Sequence, residues 1–139
     1  MNWFLAKSEP LVYSIDQLHK DGVTTWDGVR NPQAVNAILA MKPGDRVFIY
    51  HSGGVSSIVG VAKVVKEGRP DPKDPKSAVV DLEYVAKLAE PVTLAQVKTS
   101  KLFEQFALVR QSRLSTMAVP EDFVSWVMAK DPKAKTWVK

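Results

Sequence analysis

The chain has 139 residues with no cysteine, is 45% hydrophobic and 24% charged, and carries 19 Lys and Arg against 15 Asp and Glu. This length and balance suit one soluble domain with a proper core. They exclude disulfides, thiolate nucleophiles and cysteine-ligated metals, and no apolar run nears the ~20 residues of a bilayer span. The basic excess is confined to one end: residues 1–90 hold eleven basic and eleven acidic residues, residues 91–139 eight and four.

Met1 to Lys7 lacks the basic start and long apolar stretch of a signal peptide, so a cytoplasmic location is expected. Asn2 to Lys7 predicts a first strand, ended by Glu9-Pro10. Ser14-Ile15-Asp16-Gln17 has the capping-box pattern and opens a short helix to about Lys20, closed by Asp21-Gly22. Val23 to Trp26 reads as a lead-in to the hexapeptide Trp26-Asp27-Gly28-Val29-Arg30-Asn31. Asn31 suits the cap and Pro32 the first turn of a helix whose apolar stripe is Val35, Ile38 and Leu39. Pro43-Gly44 stops that helix. A strand follows from Asp45 to Ser52, and Ser52-Gly53-Gly54 makes the connection to the next.

Ile58 to Lys66 predicts another strand, with Gly60 marking a bulge or a close backbone approach. Gly68 to Lys76 carries three prolines and mixed charge and predicts an exposed loop. Ala78 to Leu88 is a third long strand, with Val80, Leu82, Tyr84 and Ala86 on one face and Asp81 and Glu83 on the other. Pro91-Val92 breaks it, and Thr93-Leu94-Ala95-Gln96 is a second capping box. Lys101 to Phe106 adds a turn of helix and Ala107 to Ser115 returns to strand. Pro120-Glu121-Asp122 starts a last helix, packed down by Phe123, Val124, Trp126 and Val127 and followed by a polar tail, 130–139. Strands with small helices to one side suggest a closed or nearly closed β-barrel in a single domain, 1–139.

Polar and aromatic groups gather at two element ends, Trp26 to Asn31 and Tyr50-His51-Ser52. Any one of them reads as an ordinary core or surface residue. Together they make a poor core and a good pocket for a flat ring whose edge is hydrogen-bonded. Metal chemistry is unsupported, since His19 and His51 are the only imidazoles and neither has ligand spacing. There is no nucleophile elbow, phosphate-cradling loop or paired carboxylate set, so no catalytic residue, cofactor or metal is expected. An indole platform contributes roughly 1–3 kcal/mol to a stacked base, while extracting a paired base costs a few kcal/mol. Edge contacts from Asn31, Ser52, His51 or Lys7 would have to make up the difference.

The segments Lys7-Ser8-Glu9-Pro10, Trp26 to Ala34, Met41 to Asp45, Tyr50-His51-Ser52 and Ser112-Arg113-Leu114-Ser115 together resemble the EVE domain. The likeness runs from Trp3 to about Trp126, and five separated motifs in order make it specific. It implies an α+β fold, a PUA-like mixed β-barrel of about five strands with peripheral short helices. It also implies a reader that binds a modified base in DNA or RNA, and a non-catalytic monomer with no membrane or metal partner is expected. Carried over by position, the pocket comprises Lys7, Trp26, Gly28, Val29, Arg30, Asn31, Tyr50, His51, Ser52, Arg113, Leu114 and Ser115, with Arg110 and Arg113 on flanking phosphates. Pro32 stands where many members have an aromatic residue, Val35 where Arg is common, and Thr116 where an apolar residue is usual. Two other functions are the alternatives: an RNA- or nucleotide-processing enzyme on such a barrel, using Lys7, His51 or Arg30, and a protein-interaction module using exposed tryptophans.

Overall fold

The computed structural model describes residues 1–139. Its strands are β1 (Trp3–Ser8), β2 (Val23–Val29), β3 (Arg46–His51), β4 (Ser57–Asp71), β5 (Asp74–Thr93) and β6 (Thr116–Ala118). They form one mixed sheet in the order β2-β5-β4-β3-β1-β6. β1 runs parallel to β3, while the other pairings are antiparallel. The expected mixed sheet is present, with six strands rather than about five. The barrel does not close, because β2 and β6 end the sheet without pairing to each other. The sheet nonetheless curls. In a flat sheet the four strand spacings between β2 and β1 would hold them about 19 Å apart, yet residues of both line one cleft.

Helices α1 (Ile15–Asp21), α2 (Pro32–Leu39), α3 (Leu94–Ser100), α4 (Ala107–Arg110) and α5 (Glu121–Met128) decorate the sheet. The local signals explain most of their starts. Thr93 and Gln96 form the full reciprocal capping box of α3. Asn31 Oδ1 accepts from the Gln33 and Ala34 amides, with Pro32 in the first turn of α2. Ser14 caps α1 through the Gln17 amide, but the Gln17 side chain turns to Asp21 at 2.8 Å, so only half of that box forms. At Gly60 a β-carbon would lie 2.3 Å from Ile15 Cδ1 and 2.9 Å from the Ala86 carbonyl oxygen. This is the expected close approach, and it lets α1 seat on β4.

Four segments depart from expectation. Residues 23–29 are a strand, not a lead-in: Thr24 and Thr25 favour extended backbone, and the Thr25 hydroxyl donates to Asp81 of β5 at 2.9 Å. Residues 68–76 are not a loop but the tip of a long β4–β5 hairpin. Asp71 and Asp74 close it by accepting from the Lys73 and Lys76 amides, and its three prolines stay exposed there. Pro91 falls in a register shift, where the ladder asks no donor of it, so β5 runs on to Thr93. Residues 101–106 form turns without a helix, and 107–115 form α4 and a loop in place of a strand. Leu108 is buried while Gln111, Ser112 and Arg113 are all exposed, so no period of two exists there.

The expected polar tail is a piece of the core. Residues 134–138 make a 3-10 turn that buries Ala134 and Trp137, the latter 1% exposed. The buried Arg46 guanidinium holds this turn, donating from Nε to the Trp137 carbonyl at 2.6 Å and from Nη2 to the Lys139 carbonyl at 3.3 Å. Asp131 accepts from the Ala89 amide at 2.9 Å. Two apolar residues three apart among charges gave little pattern to read. No helix is long and apolar enough to cross a membrane.

Because Trp137 packs edge-on against Phe48, Trp137→Ala is expected to lower unfolding free energy by ~3–5 kcal/mol. Urea denaturation measures it, and a midpoint equal to that of the parent would return the segment to the status of a tail.

Candidate functional site

A cleft of about 430 Å³ opens between the C-terminal end of β1 and strand β2. Its walls are Lys7 and Ser8, then Glu9, Val12 and Tyr13 of the following turn, the strand Thr24 to Val29, and Ser115. A bulge shapes the β2 wall. Trp26 pairs with Val80 and Val29 with Ala78, leaving Asp27 and Gly28 outside the register. Trp26 and Val29 are an odd number of residues apart, and a regular strand would send them to opposite faces. The bulge lets both be buried, each 8% exposed, and Gly28 supplies the positive φ of +79° that it requires. The Tyr13 ring meets Trp26 edge-on at 6.0 Å, and its hydroxyl donates to Asp21 at 2.8 Å. Trp26 is thus at once a core residue and a wall of the cleft.

Lys7 is the one cation lining the cleft. Its backbone N–H donates to the Ser115 carbonyl at 2.8 Å and its ammonium to the Ser112 carbonyl at 3.1 Å, tying the 112–115 loop to β1. The ammonium lies 5.3 Å from the Tyr50 ring centroid. Burial holds its pKa below the ordinary lysine value. Glu9 and Asp27, both exposed and neither in an ion pair, add acid to the lining, while Arg113, also exposed and outside any ion pair, lies on the 112–115 loop that Lys7 holds.

Of the residues expected from the sequence, Lys7, Trp26, Gly28, Val29 and Ser115 come together on the cleft. The others do not line it. Arg30 pairs with Asp74 of the hairpin at 2.9 Å, and Asn31 caps α2. Tyr50 is buried beneath Lys7, and Leu114 is buried. His51 Nε2 accepts from the Ile15 amide at 3.0 Å, and the Ser52 amide donates to the Ser8 carbonyl at 2.9 Å. The Tyr50-His51-Ser52 end therefore supports the cleft from behind. Arg110 donates to Gln105 at 2.8 Å.

The sequence did not single out Ser8, Glu9, Val12, Tyr13, Thr24, Thr25 or Asp27 as lining residues. The alternation of Thr24, Trp26 and their neighbours is the signal that could have found half of them. No group of three or more His, Asp or Glu is placed to hold a metal ion.

The family model of the EVE domain matches residues 2–130. Thymocyte nuclear protein 1 of Mus musculus is 36% identical across 70% of this chain and 56% of its own length, so the chain spans little more than half of that relative. A solved structure of a Rhodopseudomonas palustris protein matches with a TM-score of 0.85 at 38% identity, covering 99% of this chain and 93% of that one. The human THYN1 protein, solved in complex with 5-methylcytosine containing DNA, matches with a TM-score of 0.86 at 28% identity, covering 96% and 99%.

The geometry behind the cleft is sensitive to pH. Burial depresses the His51 pKa and Lys87 adds to this, while Asp16 opposes it. The imidazole accepts the Ile15 amide proton only when neutral. A pKa lower in the folded state than the unfolded ~6.5 means that the folded protein resists the proton. Its stabilising contribution is complete above that value and is lost as pH falls through it. The urea midpoint is therefore expected to drop as pH falls below about 6.5, and His51→Gln, whose carbonyl still accepts, should flatten the profile. Parallel profiles for the two proteins would remove His51 as the cause.

Proposed function

Because the chain belongs to the EVE domain family, we propose that it is a non-catalytic, monomeric reader of nucleic acid carrying a modified base, and that the base enters the cleft between β1 and β2. The observation that carries this proposal is the cleft itself. It has the size of a small-molecule site, an indole and two valines for the faces of a flat ring, and Lys7 with hydroxyls for its edge. The human relative in complex with 5-methylcytosine containing DNA supports DNA as the first polymer to try.

In this scheme Trp26, Val29 and Val12 confine the ring. Lys7 and Ser115 meet acceptors on its edge, and the missing side chain at Gly28 leaves backbone open to it. The Lys7 ammonium is already partly dehydrated, so a base acceptor reaches it at little further desolvation cost, and a ring without that acceptor leaves a charge unsatisfied. Arg113, with Arg110 beside it, holds flanking phosphates without reading sequence. Arg30, Asn31, Tyr50, His51, Ser52 and Leu114 act by holding these groups in place.

The two other functions find less support. Lys7 alone of the residues considered for catalysis lines the cleft, with no nucleophile–base pair beside it. None of the four tryptophans is exposed enough to serve as a docking knob.

Titration of duplexes with and without 5-methylcytosine tests the proposal. Lys7→Met keeps the aliphatic stem and should weaken binding of the modified strand by roughly 10- to 100-fold, the ~1.5–3 kcal/mol of a charge-assisted hydrogen bond. Arg113→Ala should weaken modified and plain strands alike and lower the salt slope by about one. Trp26→Ala should lose ~3–5 kcal/mol of stability through its burial, so Trp26→Phe is the informative change at that wall. Unaltered affinity in folded Lys7→Met and Trp26→Phe would place the base elsewhere.

A further inference from the structure

Nine large apolar residues remain exposed, and only Leu11 and Val12 among them are neighbours in the chain. Leu11 is 100% exposed and Val12 78%. Isolated apolar residues on a surface need no explanation. An adjacent pair at the tip of a constrained turn is different, because water is excluded from neither and the backbone cannot fold them away. The constraint is explicit. Pro10 fixes φ at the start of the turn, the Val12 and Tyr13 amides both donate to the Glu9 carbonyl at 2.9 and 2.8 Å, and the Ser8 hydroxyl donates to the Tyr13 carbonyl at 2.8 Å. Val12 lines the cleft, so the apolar tip is continuous with its mouth.

We infer that the Leu11-Val12 turn is a wedge that enters the base stack of a duplex and fills the gap left when the modified base moves into the cleft. The inference rests on the base-reading function proposed above. Withdrawing a base from a duplex breaks stacking on both sides of it and costs a few kcal/mol. An aliphatic side chain inserted at the vacated step restores apolar contact and holds the opened state. Charge orients the duplex for this. Glu9, at the start of the turn, repels phosphates, whereas Arg113 and Lys7 lie on the 112–115 side. The sugar–phosphate backbone accordingly passes over the basic side, and the acidic and apolar side meets base-pair edges. A preformed turn inserts without ordering cost, which a mobile loop would incur.

The test compares one 5-methylcytosine presented in a duplex with the same strand left single, because a wedge matters only where a stack must be opened. Leu11→Ser and, separately, Leu11→Asn change a fully exposed side chain outside the cleft lining, and unaltered thermal melting checks that the fold survives. The expected result is duplex affinity reduced tenfold or more with single-strand affinity within twofold of the parent. 2-Aminopurine placed beside the methylated base should brighten on binding the parent and much less on binding the variants. Equal duplex affinity in parent and variants overturns the wedge. Equal loss on both probes also overturns it, by making the turn a plain wall of the cleft. Failure of the parent to prefer the methylated strand in either form shows in the parent alone, and it overturns the base-reading function together with the wedge built on it.

Discussion

Everything at the cleft depends on the hydrogen bonds made by two consecutive residues at the end of β1. Lys7 ties the 112–115 loop through its amide and its ammonium. Ser8 ties the 9–13 turn through its hydroxyl and the start of the 52–56 loop through its carbonyl. Parallel pairing of β1 with β3 makes this possible. The two strands end side by side, with Lys7 opposite Tyr50 and Ser8 opposite His51, so the segments leaving them emerge at one end of the sheet. An antiparallel partner would have sent its loop to the far end and left the turn unsupported.

The same junction explains why residues that looked like ligand contacts serve as supports. Tyr50, His51 and Ser52 carry aromatic and polar groups because each has a backbone or side chain to hold: the Lys7 ammonium, the Ile15 amide and the Ser8 carbonyl. A composition test for a pocket cannot separate groups that face the ligand from groups one layer behind, since both layers need hydrogen-bonding atoms and both avoid plain core residues. Asn31 shows the same ambiguity. Its carboxamide was read both as a cap and as an edge contact, and in the structure its oxygen accepts from two amides of α2.

Local signals were legible where one residue type answers one geometric demand. The caps at Ser14, Asn31 and Thr93, the helix-breaking Pro43-Gly44 and the close approach at Gly60 all fall into this class. Signals failed where tertiary pairing overrode them. Pro70, Pro75 and Pro91 argued for loops, yet each sits where a long hairpin needs no donor from it. Trp137 stood alone among lysines, and its burial depends on Arg46, 91 positions earlier in the chain. No window of sequence contains that relation. The curl that brings β2 to β1 is equally non-local, so Thr24, Thr25 and Tyr13 could not be assigned to a wall shared with Lys7.

An open barrel has a consequence for function that a closed one would not. Had β2 paired with β6, the other end of the sheet, its amides and carbonyls would have completed a ladder and closed the barrel. Instead the bulge at Asp27-Gly28 takes two residues out of register and turns the strand end toward solvent. The edge is protected from pairing with another chain by that bulge and by the exposed charge on Asp27. The cleft lies where β2 faces the end of β1 and Ser115 without pairing to them. Its apolar floor is continuous with the core through Trp26 and Val29, so it is rigid without being filled. Indole and valine line it, and its only cation, Lys7, donates one of its three protons to a carbonyl. Two remain, and under the proposed function they are the donors that a ring edge has to match.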